Sequence, residues 1–185
     1  MKCICSNTHV VVKVAAVVFV SMGFLTLTGC QSLDRGTGQR AFAVLDSKSG
    51  SNAKGEVAFI WQGHDVVING KFSGLKPNAE QGIHVHEKGD CSAPDALSAG
   101  GHFNPDTKMH GTPDSGMNHA GDLPNIKSDA NGNAVYTAKL SGFSVDGGPS
   151  GVLGRAVVVH RDPDDYKTQP AGNSGPRIAC GLIKS

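Results

Sequence analysis

The sequence has almost no net charge, and this absence excludes several classes of protein. It contains 17 basic and 16 acidic residues among 185. Removal of residues 1–29 as a signal would take away Lys2 and Lys13 and leave 15 basic against 16 acidic residues. A chain so close to neutral gives no electrostatic reason to expect binding to nucleic acid or a basic membrane-facing surface. Internal repeats and low-complexity segments are also lacking.

Strong helix formers do not occur in long series, which argues against an α-helical protein. The chain has 25 glycines, and apolar and polar residues alternate in short runs bounded by turn residues. The predicted strands are Ala41 to Leu45, Glu56 to Trp61, Asp65 to Leu75, Gly82 to Glu87, Asn125 to Ser128, Asn133 to Leu140, Gly154 to His160 and Arg177 to Ile183. Gly63-His64 and Asn131-Gly132 are predicted hairpin turns, the second a tight two-residue connection. We expect an all-β protein, a Greek-key sandwich or flattened eight-stranded barrel.

The first 29 residues are typical of a secretory signal. Lys2 and Lys13 precede an apolar run that starts at Val14 and is interrupted by Ser21 and Gly23. Because that run is short and broken, an uncleaved membrane anchor is the weaker alternative.

The signal ends in Leu27-Thr28-Gly29-Cys30, which resembles the lipobox of bacterial lipoproteins. We therefore expect removal of residues 1–29, a lipid on Cys30, a flexible tether over residues 30–39 and a folded domain over residues 40–185. The expected location is the cell envelope, and Gln31 after the lipidated cysteine favours the outer membrane if the cell has one.

Five of the eight histidines lie between Gly82 and Asp122. His84 and His86 alternate along a predicted strand, so both side chains leave the same face and can chelate one metal ion. The segment that follows is a long polar loop, and its candidate ligands are His102, His110, His119 and Asp122. Three imidazoles and one carboxylate suit zinc, and a bound cation would restrain a loop that is otherwise costly to order.

Counting donors leaves one question open. With His160, the candidate ligands are six histidines and one aspartate, whereas two four-coordinate sites need eight donors. Either one site is open, or one imidazole binds two metals through its two nitrogens. The count alone does not choose between these alternatives.

Several motifs together resemble the copper/zinc superoxide dismutases. They are Gly82-Ile-His-Val-His-Glu-Lys-Gly-Asp-Cys91, Gly101-His-Phe-Asn-Pro105, His119-Ala-Gly-Asp-Leu-Pro124, Val157-Val-Val-His160 and Gly172-Asn-Ser-Gly-Pro-Arg-Ile-Ala-Cys-Gly181. The resemblance runs from about residue 40 to the C-terminus. It implies one copper ion and one zinc ion per subunit, held by two long loops and the strands beside them. By the family pattern copper is bound by His84, His86, His102 and His160, and zinc by His102, His110, His119 and Asp122.

The resemblance also implies the reaction and three further roles. Two superoxide anions and two protons would become hydrogen peroxide and dioxygen, with copper cycling between two oxidation states. His102 would leave copper on reduction and carry a proton to the product, and Asp164 would link one copper histidine to one zinc histidine. Arg177 would attract and orient the anion. Ala171 stands where the eukaryotic members have threonine, and the loop between His160 and Arg177 is shorter than theirs, so the resemblance does not extend to residues that steer the anion from a distance.

Cysteine usage agrees with export. Cys3 and Cys5 would leave with the signal, and Cys30 would take the lipid. The remaining pair, Cys91 and Cys180, is expected to form a disulfide between residues 89 positions apart. Closing a loop of that length stabilises a fold by roughly 4 to 5 kcal/mol in the chain-entropy model.

Two other functions compete with superoxide dismutation. One is a copper-binding or copper-delivery protein without turnover, and the other is a silent structural sandwich on the envelope. The second has no use for seven metal ligands, and the first has no use for Arg177 or a rigid zinc loop. The sequence allows either a monomer or a homodimer.

Overall fold

The computed structural model describes residues 37–185, which form nine strands and one short 3-10 helix. The strands are β1 (Thr37–Ser47), β2 (Lys54–Gln62), β3 (Asp65–Ser73), β4 (Glu80–Gln81), β5 (Ile83–His86), β6 (Ile126–Lys127), β7 (Ala134–Leu140), β8 (Ala156–His160) and β9 (Arg177–Leu182), and the helix is Leu97–Ala99. Over this part of the chain the structure has no α-helix, and no helix suited by length and apolar character to crossing a membrane. The predicted signal, Cys30 and most of the tether lie outside the described residues, and β1 begins three positions before residue 40.

Seven strands form one curled antiparallel sheet in the order β5-β8-β9-β1-β2-β3-β7, and the expected all-β fold is confirmed. The remaining two, β4 and β6, pair only with each other. The sheet therefore has one strand fewer than the eight expected from the sequence. β4 was not predicted, because a strand of two residues shows no periodicity.

One of the two predicted turns joins a hairpin and the other does not. Gly63-His64 does join β2 to β3, whose register closes with Gln62 opposite Asp65. Asn131-Gly132 also lies in a turn, where Gly132 has a positive φ of 74°, but the predicted two-residue hairpin is wrong. β6 pairs with β4 and β7 pairs with β3, so the strands on either side of this turn are not bonded to each other. A turn motif reports local backbone conformation and not strand partners.

Buried and exposed residues alternate along the strands, so one face of the sheet packs on the hydrophobic core. In β7, Ala134, Tyr136, Ala138 and Leu140 are buried and the residues between them are exposed. β8 differs, because all five of its residues are buried. One face of β8 joins the main core and the other packs against Ala96, Ala99 and Cys180, so the loop after β5 covers the outside of the sheet here.

The polar loop between β5 and β6 lies directly along β5. His102 forms a bridge with His86, and Asp122 forms a bridge with His84. Backbone hydrogen bonds from Val85 to Gly121 and from Phe103 to Val85 fix this arrangement. A Cβ at Gly121 would lie 2.2 Å from the carbonyl oxygen of Val85, so only glycine allows so close an approach. Pairing with β5 therefore fixes the loop at two places, around residues 102–103 and 121–122.

Candidate metal centre

The metal centre is built on β5, where His84 and His86 are fully buried side by side. Ile83 and Val85 point the other way into the hydrophobic core. The strand therefore presents two imidazoles to the loop that covers it, as the alternation of the sequence predicted. His160, at the end of neighbouring β8, adds a third imidazole, with its Nε2 3.4 Å from Nε2 of His86.

The structure brings the candidate ligands together in two groups. In each group the possible ligand atoms all lie within 4.8 Å of one another, and every member is buried. The four-histidine group consists of His84, His86, His102 and His160. The aspartate group consists of His102, His110, His119 and Asp122. All seven predicted metal ligands are thus placed, and His102 belongs to both groups.

Hydrogen bonds fix which ring nitrogens of the four-histidine group are free to bind a metal. Nδ1 of His86 donates to the Gly100 carbonyl at 3.0 Å, and Nδ1 of His160 donates to the Gly175 carbonyl at 3.1 Å. Both rings therefore offer Nε2. His84 is held the other way round, because its Nε2 bonds to Asp164, and its Nδ1 is a buried atom with no hydrogen-bond partner among residues 37–185. A ring nitrogen that is buried, unprotonated and unpaired suits a metal ion, since a metal-binding imidazole donates its other N–H to an oxygen.

His102 is the one residue that belongs to both groups of the described chain. Its Nδ1 lies 2.9 Å from Asp122 Oδ1 and 3.4 Å from His119 Nδ1, within the aspartate group. Its Nε2 is buried and has no hydrogen-bond partner in the described residues. The two nitrogens of one ring thus serve the two groups, and seven residues supply eight donors.

The aspartate group has the dimensions of a zinc site. Oδ1 of Asp122 lies 3.0 Å from His110 Nδ1 and 3.3 Å from His119 Nδ1. In a tetrahedral zinc site with bonds of about 2.0 Å, neighbouring ligand atoms are about 3.3 Å apart. The donor spacing therefore fits zinc, and the four imidazoles of the other group suit copper.

Burial and the two carboxylates set the charges in this region. Burial lowers the pKa values of His86 and His160 well below 6.5, and that of His102 to about 4. These rings are neutral at pH 7, as metal ligands must be. Burial alone would raise the pKa of Asp122, but hydrogen bonds from His102 and other imidazoles hold it well below its usual range. Burial likewise opposes protonation of His110, yet its bonds to two carboxylates raise its pKa to about 9.

Asp164 lies between the two groups. Its Oδ2 is 2.8 Å from Nε2 of His84 and its Oδ1 is 2.9 Å from Nε2 of His110. Oδ1 also accepts the backbone N–H of Tyr166 at 2.7 Å. One buried carboxylate therefore orients a ring of each group, and these hydrogen bonds hold its pKa well below its usual range although burial opposes that shift.

Arg177 lies at the opening of the four-histidine group. It lines a cavity of about 430 Å³ together with His86, His102, His160 and Ala171. Its guanidinium donates to the carbonyls of Ala96 at 2.7 Å and Gly100 at 2.6 Å. Burial lowers the pKa of Arg177, but a guanidinium remains charged in proteins. The cavity therefore has a fixed cation beside a group of metal-binding nitrogens.

The predicted disulfide between Cys91 and Cys180 is confirmed, with sulfurs 2.00 Å apart. It ties the loop that contains Ala96 and Gly100 to β9, three residues after Arg177. Because both carbonyls that hold the guanidinium belong to this loop, the disulfide and the two hydrogen bonds restrain the same wall of the cavity.

Sequence reasoning missed three residues that support the ligands. Gln169 accepts the backbone N–H of His110 at 2.9 Å and donates to its carbonyl at 2.8 Å. Asn125 makes a similar reciprocal pair with the backbone of Asp164. A Cβ at Gly172, where φ is +65°, would lie 1.7 Å from Asp164 Oδ1. The two amide residues carry no motif of their own, whereas Gly172 opens one of the family motifs.

Comparisons with known proteins agree with this geometry. The copper/zinc superoxide dismutase family model matches residues 53–183. Superoxide dismutase [Cu-Zn] 1 of Aquifex aeolicus (strain VF5) is 44% identical over 134 residues, which cover 70% of this chain and 79% of the relative. Superoxide dismutase [Cu-Zn] 2 of Brassica juncea is 41% identical over 151 residues, which cover 78% of this chain and 96% of the relative.

A solved structure supports the same conclusion at the level of the fold. The crystal structure of a double mutant of a SOD-like protein from Bacillus subtilis has a TM-score of 0.70 and 36% identity, covering 80% of this chain and 99% of that one. Family model, relatives and fold therefore all lead to one assignment. The chain belongs to the copper/zinc superoxide dismutase family.

Proposed function

We propose that this superoxide dismutase holds copper in the four-histidine group and zinc in the aspartate group, and that it works as a lipid-anchored enzyme of the cell envelope. Copper bound there supplies the one-electron redox chemistry by which two superoxide anions and two protons become hydrogen peroxide and dioxygen. The observation that carries the assignment of the two sites is His102, whose nitrogens serve both groups.

Arg177 is proposed to capture and orient the anion. A charged guanidinium at the opening raises the local concentration of a small anion, and its two hydrogen bonds to main-chain carbonyls fix its direction. His102 is proposed to move a proton at Nε2. That atom lies in the four-histidine group and has no hydrogen-bond partner in the described part of the chain, so it can take up a proton and donate it to a reduced oxygen species in the cavity.

The aspartate group is proposed to be structural. Asp122 accepts hydrogen bonds from the backbone N–H groups of Gly111 and His119, at 3.0 and 2.9 Å, in addition to its contacts with the rings. A cation held there fixes a loop that has no regular strand or α-helix between β5 and β6.

Superoxide turnover by the metal-loaded protein tests the proposal. The form starting at Cys30 is loaded with copper and zinc, and the second-order rate of superoxide decay is measured by pulse radiolysis. His160→Ala is expected to remove copper and turnover while leaving zinc bound, because His160 lies outside the aspartate group. His64→Ala is the matched control, since His64 is an exposed residue bonded only to neighbouring Asp65. A protein that bound both metals without turnover would be a copper carrier instead.

The proposed location rests on two supports. One is the Leu27-Thr28-Gly29-Cys30 sequence after an apolar run, and the other is the Cys91–Cys180 disulfide, which persists in oxidising compartments. Residues 1–29 are proposed to be removed, with residues 30–39 as the tether and residues 40–185 as the enzyme domain. Labelled palmitate should be incorporated into the parent and not into Cys30→Ser, and the parent should fractionate with membranes, the outer membrane if the cell has one. Equal labelling of the two would contradict the anchor.

A further inference from the structure

One peptide group beside the cavity accepts hydrogen bonds both from a candidate copper ligand and from the cation at the opening. The carbonyl oxygen of Gly100 accepts Nδ1–H of His86 at 3.0 Å and the guanidinium of Arg177 at 2.6 Å. Gly100 has φ of 74° and ψ of −151°, a backbone conformation that is essentially restricted to glycine. A group that fixes the Gly100–Gly101 peptide therefore also fixes the two side chains that bond to it.

Glu87 contacts the other end of this peptide. Its Oε1 accepts the backbone N–H of Gly101 at 3.2 Å, and this N–H belongs to the same peptide group as the Gly100 carbonyl. The backbone N–H of Glu87 in turn donates to the Gly101 carbonyl at 2.9 Å. A Cβ at Gly100 would lie 2.8 Å from Cγ of Glu87, so the side chain lies directly against the peptide. We call the bond from Gly101 N–H to Glu87 Oε1 the peptide clamp.

The backbone of Glu87 is itself anchored, although its side chain is exposed. Nη1 of Arg155 donates to the Glu87 carbonyl at 3.1 Å, and Nε of the same guanidinium donates to the Gly151 carbonyl at 2.6 Å. The guanidinium carbon lies 3.6 Å from the centroid of the Phe103 ring, in cation–π contact. The carboxylate therefore extends toward Gly101 from a fixed point of the chain.

We infer that Glu87 is a positioning residue, whose peptide clamp orients the His86 ring and the Arg177 guanidinium through the Gly100–Gly101 peptide. The inference rests on the proposed function, in which His86 binds copper and Arg177 attracts the anion. A carboxylate is a stronger acceptor than a neutral oxygen, and hydrogen bonds in series polarise one another. The clamp therefore both places the Gly100 carbonyl and strengthens the two bonds that it accepts.

The charge of Glu87 has a separate effect on the anion. Glu87 lines the cavity of about 430 Å³ that also contains Arg177, and a negative charge there opposes the attraction of superoxide. Loss of the charge alone should therefore speed anion capture, whereas loss of the clamp should slow it and weaken copper binding. The two effects have opposite signs, so variants can separate them.

Two substitutions of Glu87 separate the clamp from the charge. Glu87→Gln loses the charge but keeps an oxygen that can accept the Gly101 N–H. Glu87→Asp keeps the charge, but its side chain is shorter by one carbon–carbon bond of about 1.5 Å, so its carboxylate no longer reaches that N–H. Glu87→Ala lacks both the charge and the clamp.

The Nδ1–H of His86 can be observed by NMR in the zinc-loaded protein without copper. Its exchange with water should be about two- to tenfold faster in Glu87→Asp and Glu87→Ala than in the parent, because the bond to Gly100 is weaker, and Glu87→Gln should recover most of this loss. Copper affinity, measured by competition with chelators, should fall by about the same factor in the Asp and Ala variants. Zinc affinity should not change, since His86 lies outside the aspartate group.

Superoxide decay in the metal-loaded variants completes the comparison. The second-order rate should be lower in Glu87→Asp than in the parent, and it should not be lower in Glu87→Gln. Glu80→Asp is the matched control, because it shortens another exposed glutamate, which pairs with Lys127 at 3.0 Å on β4 and β6. This control should match the parent in every measurement.

Two results would overturn the inference. One is an Asp variant that keeps the ring exchange and copper affinity of the parent, and the other is a Gln variant that shows the full loss, since Glu87 would then act through its charge alone. A parent that bound both metals without turnover would contradict the proposed function instead. The ring exchange would still decide whether Glu87 positions His86, because it is measured without copper.

Discussion

Replacement of Asp164 by asparagine should weaken copper binding more than zinc binding. The two carboxylate oxygens are not equivalent, because Oδ1 accepts hydrogen bonds from His110 and from the Tyr166 backbone, whereas Oδ2 accepts only from His84. The asparagine keeps most hydrogen bonds when its oxygen takes the place of Oδ1. Its NH₂ group then faces Nε2 of His84, which must itself carry a proton when Nδ1 binds a metal. Two donors in contact cannot bond, so the orientation of His84 is lost.

The expected size follows from the loss of one buried partner of a metal-binding histidine. Such losses lower metal affinity by about 10- to 100-fold, or about 1.4 to 2.8 kcal/mol. We expect a loss of this size for copper and a smaller one for zinc, since the bond to His110 is kept. Competition with chelators of known affinity measures both metals on the same protein.

The control for this variant is Asp162→Asn, which removes the charge of an exposed aspartate paired with Arg161 at 3.0 Å. Copper and zinc affinities of the control should equal those of the parent. Unchanged copper affinity in Asp164→Asn would refute the reasoning, because it would show that His84 needs no carboxylate. A larger loss for zinc than for copper would show that the NH₂ group faces His110 instead.

Three further predictions concern the charged groups of the site. Arg177→Ala should lower the second-order rate of superoxide decay by about 10- to 100-fold with both metals bound, and Arg177→Lys should recover part of the loss; equal rates and salt dependence in parent and Ala variant would contradict this. Asp122→Ala should release zinc and lower the melting temperature more than it lowers activity at pH 7, as calorimetry and metal analysis can check. In chelator, the melting temperature should be highest near pH 6.5. Burial lowers the pKa values of His86, His102 and His160, so below pH 6.5 these groups bind protons in the unfolded chain and stay neutral in the folded one. The free energy of unfolding then falls by about 1.4 kcal/mol per pH unit for each such proton. Above pH 6.5, the stability that protonated His110 contributes is lost as the pH rises through its pKa of about 9. Melting that is flat between pH 5 and 9 would show that these groups do not titrate on unfolding.

The alternation of apolar and polar residues was sufficient to predict most of the strands. Each predicted strand falls on an observed strand, because alternation along β3 and β7 follows directly from having one face in the core. The same rule placed His84 and His86 on one face of β5. Alternation could not predict β4, because two residues are too few to show a period. Nor could it predict the partner of β6, because pairing depends on distant parts of the chain.

The candidate metal ligands could likewise be predicted from the sequence, whereas the residues that support them could not. Histidine and aspartate are residue types that bind metals through their side chains, so the seven candidate ligands could be listed from the sequence. Their supports could not, because the acceptors for His86 and His160 are the main-chain carbonyls of Gly100 and Gly175, which every residue possesses. Gln169 is equally ordinary as a residue type, and only its position opposite the backbone of His110 gives it a role. That one ring can serve both groups became visible only when the two nitrogens of His102 were located in space.

If His102 binds both metals, as proposed, the two metals are thermodynamically cooperative. Zinc in the aspartate group would hold the loop and His102 in place, so copper would meet its fourth ligand without the entropic cost of ordering it. Coupling between two binding equilibria is reciprocal, and whatever factor zinc adds to the affinity for copper, copper must add to the affinity for zinc. In an environment poor in both metals, molecules would therefore tend to be fully loaded or empty, and those holding one ion would be the minority.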